Sequence, residues 1–289
     1  MSVVGSGETT SDHADHQTTA PLIALVAGAL LAMGQPVLAT RVGLLAWNGC
    51  GCADQAAWWS SQLVGVGWFA ATSVVLATAP GLFRRFRKLS DTLVTPAAAA
   101  FGAALAVPLT AAGAAWAAMY GGASLGWEAG TQAAAGTLTG LVVAIAGTRW
   151  PGLTSGVRTH AVMIWGIALL SVRLSPEEPP PLGHLIVGNG VNGGIATAIL
   201  LTVPFLTGGA ISIRLPAGTS AFTVAFAAAS GPALLLFSYA VAFGISGYGW
   251  NWALLYPVVL AVPAAVAGGW LTYAFCRSPE RHLLAPAGF

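Results

Sequence analysis

Seven stretches of the chain, residues 21–40, 61–80, 97–119, 129–147, 185–207, 219–243 and 252–276, each run for about 20 mainly apolar residues, the length a helix needs to cross the hydrocarbon core of a bilayer. No single water-soluble core can absorb that many such runs. Composition agrees: 56% of the residues are hydrophobic and 7% are charged, against about 25% charged in a soluble domain. The expected fold is all-α, a polytopic integral membrane helix bundle of about eight transmembrane helices with both termini cytoplasmic.

The eighth crossing is the weak one. "AVMIWGIALLSV", Ala161 to Val172, holds only twelve residues between Arg158 and Arg173, and spans only if "GLTSGV" joins it and Arg158 snorkels. Basic residues arbitrate, because Lys and Arg collect on the cytoplasmic side. With eight crossings and an inner N-terminus, nine basic residues lie inside, "RRFRK" at 84–88 foremost, and Arg41 and Arg173 outside. With seven crossings the split is seven to four. With eight crossings Trp47, Trp58, Trp59, Tyr120, Trp127, Tyr248, Trp250 and Trp252 fall near the outer interface, where aromatic belts anchor helices.

This divides the chain into a disordered cytoplasmic tail at 1–20, a transmembrane bundle at 21–276 and a short cytoplasmic tail at 277–289. The first tail has no Lys or Arg and so lacks the positive region of a secretory signal. No internal repeat stands out, and the proline placements of the two halves do not match. Pro36, Pro108, Pro204, Pro232, Pro257 and Pro263 fall within apolar runs, where each removes a backbone donor and favours a kink. The last run is expected to break twice.

Chemistry is scarce. "GNGVNG", Gly188 to Gly193, matches a dinucleotide glycine pattern in letters only, because no strand or downstream acid accompanies it. In a bilayer its glycines serve close helix approach. Asn189 and Asn192 share a helix face and offer amides either to a packing seam or to a polar pocket. The candidate substrate-binding set is therefore Asn189, Asn192, Gly190, Gly193 and His184, with Arg41 as an intrusive cation whose bland reading is snorkelling to headgroups.

Cys50 and Cys52 in "CGCAD" have no histidine beside them, so no metal site is expected. His160 and His184 fall at opposite membrane faces on this topology and cannot share a haem. Lys88 is the only lysine and lies in a loop, which excludes a buried Schiff base. No predicted span carries Asp or Glu, which disfavours proton coupling. No catalytic residue and no cofactor is expected.

Three functions remain open: a permease-like protein binding or moving a small solute or lipid without its own nucleotide site, a non-catalytic scaffold or regulatory subunit of a cell-envelope complex, and a membrane-embedded enzyme. The expected partners are membrane lipids and another membrane subunit or a homo-oligomer, with no nucleic acid, since the charges form no basic stripe. The Ala and Gly bias points to the cytoplasmic membrane of a bacterium with GC-rich DNA.

Overall fold

The computed structural model describes residues 11–47, 55–79, 93–117, 122–174, 182, 193–216, 218–246 and 252–277. Among these every regular element is helical: α1 (Ser11–Arg41), α2 (Gln55–Ala77), α3 (Val94–Ala104), α4 (Ala106–Ala117), α5 (Gly122–Arg149), α6 (Pro151–Leu174), α7 (Gly193–Arg214), α8 (Ala221–Ser246) and α9 (Trp252–Arg277). Among the described residues seven spans are long and apolar enough to cross a membrane: Thr19–Arg41, Trp58–Ala77, Val94–Trp116, Ser124–Arg149, Pro151–Arg173, Ala221–Ile245 and Leu255–Cys276. The chain is an all-α polytopic membrane bundle.

The weak segment is a full helix. α6 starts at Pro151, a residue suited to a first helical turn because its missing N–H has no intrahelical use there, and takes up "GLTSGV" on its way to Leu174. Arg158 does not snorkel. Its guanidinium donates to the carbonyls of Val75 (3.1 Å) and Thr78 (3.0 Å), satisfying acceptors that the end of α2 leaves open.

Other features differ from expectation. α1 begins at Ser11, inside the tail expected to be disordered. α7 begins at Gly193 and reaches Arg214; hydropathy alone misses the gain of "GGAISIR" at its far end. α8 and α9 run unbroken through Pro232, Pro257 and Pro263, because one lost hydrogen bond can be absorbed within a packed bundle. Among the described residues a span is divided only at Leu105, just ahead of Pro108, and there the Leu105 N–H bonds to Gly102 O at 3.2 Å in a tightened turn.

Helix pairing repeats between the two halves of the chain. In the first half α1 lies along α3, and α2 along α5; in the second, α6 lies along α8 and α7 along α9. Each pair is parallel, held where a glycine brings backbones together. Gly28 meets Ala99 O as Gly156 meets Ala227 O, and Gly102 meets Leu25 O where Ser230 Oγ donates to Leu153 O at 3.0 Å. All four positions recur 128 residues later (28 to 156, 99 to 227, 102 to 230, 25 to 153). Likewise Gly136 meets Gly67 O as Gly268 meets Phe205 O, and Gly140 packs on Ala71 as Thr272 packs on Gly209.

The expectation of no internal repeat is therefore corrected. Backbone approaches carry the repeat, and each can be supplied by different residues, so the letters conceal it. The halves join front to back: α2 and α5 of the first pack on α6 and α8 of the second, and among the described residues α7 and α9 have no contact with α1, α3 or α4. α2 is thereby enclosed, with 94% of its span buried against 28% for α9.

Candidate functional site

Burying α2 buries its polar side chains. "SSQ" at 60–62 and "TS" at 72–73 lie within this central helix, and Ser60, Ser61, Gln62, Thr72 and Ser73 are all buried. In a bilayer-embedded bundle such groups must find partners inside the protein.

Gln35 of α1 supplies the largest share. Its amide donates to Ser73 Oγ (2.8 Å) and Phe69 O (3.3 Å), and its Oε1 accepts from Trp165 Nε1 of α6 (3.1 Å) and lies 3.5 Å from Thr72 Oγ1. One side chain thus ties α1, α2 and α6, with Trp165 stacked on Phe69 at 5.2 Å. Gln62 Oε1 accepts the Ala46 N–H at 3.0 Å, fixing the chain that follows α1. Tyr239 of α8 donates to Leu182 O at 2.8 Å.

Other buried polar groups of the bundle are incompletely satisfied. Gln132 of α5 donates to Ser238 O at 3.2 Å across to α8, while its Oε1 accepts no bond. His160 is 2% exposed, packed against Gly231, and neither ring nitrogen has a partner. It lies inside the bundle rather than at a membrane face, because α6 extends nine residues ahead of it to Pro151. Glu128 falls in the span Ser124–Arg149, with Oε2 buried and unbonded. The expectation that no span carries an acid is overturned: α5 starts at Gly122, a full two turns before the run of unbroken hydropathy.

A groove of about 380 Å³ lies between α1 and α4. Met33, Pro36, Thr40, Ala106, Thr110 and Gly113 form its walls, and Arg41 and Trp47 lie at one end. Ala106, the residue after the break at Leu105, is among its lining residues.

Of the expected substrate-binding set, His184, Asn189, Gly190 and Asn192 lie outside the described residues. Gly193 is the first residue of α7, and Arg41 is the last of α1, exposed at the groove. Cys50 and Cys52 are likewise outside the described residues. The belt around α2 was missed in the sequence, although two features could have found it: glutamine within an apolar run, and paired small hydroxyls on the same helix.

The bundle and its buried polar belt define a multi-pass membrane protein. Compared with known protein families, curated proteins and solved structures, the chain matches none.

Proposed function

We propose that the protein is permease-like and binds a small uncharged polar solute at the belt around α2, in a bacterial cytoplasmic membrane with both chain ends inside. The observation that carries this reading is the set of buried, unbonded atoms: Gln132 Oε1 and both His160 nitrogens. A buried polar atom without a partner costs about 1–3 kcal/mol, and water or a hydrogen-bonding solute removes that cost. The Gln132 amide hydrogen-bonds without carrying a charge, which suits a neutral ligand. Asn189, Asn192 and His184 are included among the proposed solute contacts on the sequence alone, and no nucleotide site is needed for passive movement.

The test is thermal stability of the purified protein in lipid nanodiscs against a panel of small polyols, amides and neutral amino compounds. A binder raises Tm in proportion to occupancy, and Gln132→Leu abolishes that rise while leaving the solute-free protein folded. A rise that survives Gln132→Leu and His160→Phe together contradicts the proposal.

A scaffold or regulatory role is the second reading. The α1/α4 groove favours it, being an open surface that no element of the same chain covers among the described residues.

A further inference from the structure

The front-to-back joint between the halves has a geometric consequence. α2 presents Val64, Trp68, Ala71 and Val75 from one face, and these share cores with Val157, Ile164, Ala168, Leu234 and Leu235 of α6 and α8. α7 stands in the second half where α2 stands in the first, as the matched approaches of Gly67 and Phe205, and of Ala71 and Gly209, establish. Carried over by that match, the face of α2 falls on Thr202, Leu206, Gly209 and Ile213. These four share one side of α7 by helical periodicity, and Thr202, Leu206 (58%) and Ile213 (67%) are exposed.

The receiving surface has its counterpart too. Shifted by the 128 residues that separate the matched glycines, Ala161, Ile164, Ala168 and Leu234 correspond to Met33, Pro36, Thr40 and Ala106. All four of the latter line the α1/α4 groove, and all four of the former are buried. The groove is the seat that α2 fills in the second half, left open in the first.

An interface between unlike faces repeats until a rotation closes it, and its two ends stay complementary. We propose that the protein assembles head to tail with a second copy of itself, the exposed α7 face of one copy seated in the α1/α4 groove of the next. The rotation between successive units sets whether the array closes as a ring.

The test uses two differently tagged full-length chains, both lacking Cys50, Cys52 and Cys276, one carrying Met33→Cys and the other Leu206→Cys, co-expressed and oxidised in native membranes. The proposal expects a disulfide between the unlike chains and little between like chains. It also expects Gly113→Phe to reduce that product at least tenfold, because nothing lies within 4 Å of a Cβ at Gly113 and the ring occupies the groove without disturbing the isolated chain. The Gly113→Phe chain should keep the Tm of the parent monomer. Cross-links confined to like positions, or a monomeric mass in nanodiscs with no cross-link, overturn the proposal.

Discussion

α2 and α7 hold matching places in the two halves, yet one is the axis of the molecule and the other lies along its edge. Both cross their parallel partner through backbone approaches, Gly67 with Gly136 in one case and Phe205 with Gly268 in the other. The difference lies in what each meets next. α2 runs into the face of α6 and α8, and its polar residues are drawn into a belt; α7 has no such neighbour among the described residues, and its outward face is Leu206 and Ile213. A repeated unit thus acquires an interior only at the joint, and the candidate site forms there.

The most damaging change should be one that pushes apart a matched pair at the joint side. Gly136→Val places a branched side chain against Gly67 O, where backbone already occupies the space, and about 3 kcal/mol of destabilisation is expected from overpacking. Thermal unfolding in detergent reads it. Gly268→Val should cost a similar amount if the halves are equivalent; a cost below about 1 kcal/mol would break the equivalence.

Next is Arg158→Met, which removes the donors to Val75 O and Thr78 O. Hydrogen bonds from a charged donor contribute about 1.5–3 kcal/mol, so a loss near about 2 kcal/mol is expected, with faster hydrogen exchange at the end of α2. A loss confined to α6 instead would show that the guanidinium serves the bilayer surface and not α2.

Gln35→Leu should cost about 1–2 kcal/mol, the upper part of the range for hydrogen bonds between membrane helices. It leaves the Trp165 Nε1 without its acceptor, so a change in tryptophan emission should accompany the loss. An unchanged spectrum would argue against the tie between α1 and α6. The smallest effect is expected from Gly113→Ala. With open space around it, the replacement should be neutral or stabilising by up to about 1 kcal/mol, the helix-propensity difference alone.

Much of this contrast was illegible in the letters, for physical reasons. Apolar runs report the solvent around a helix and not its neighbours, so the spans could be placed while their pairing could not. A close approach needs only a small residue on one side, which is why Gly67 and Phe205 can do matching work and the repeat leaves no shared pattern. α2 reads as an ordinary span because Val64, Val66, Phe69 and Val74 keep its mean hydropathy at 1.4 despite Gln62, Thr72 and Ser73. Clustered polar letters such as "GNGVNG" stand out in a sequence, whereas the buried polar groups come from residues spread over several helices.

The measurement that tests the front-to-back joint most directly is cross-linking within one chain by a short bis-maleimide, in a background without native cysteines. Val75→Cys paired with Leu234→Cys should cross-link within single chains, since the two side chains share a core across the joint. Ile213→Cys paired with Ala106→Cys, the matching positions at the open ends, should not. An intrachain product from the second pair and none from the first would contradict the joint, and with it the enclosure of α2 on which the proposed site depends.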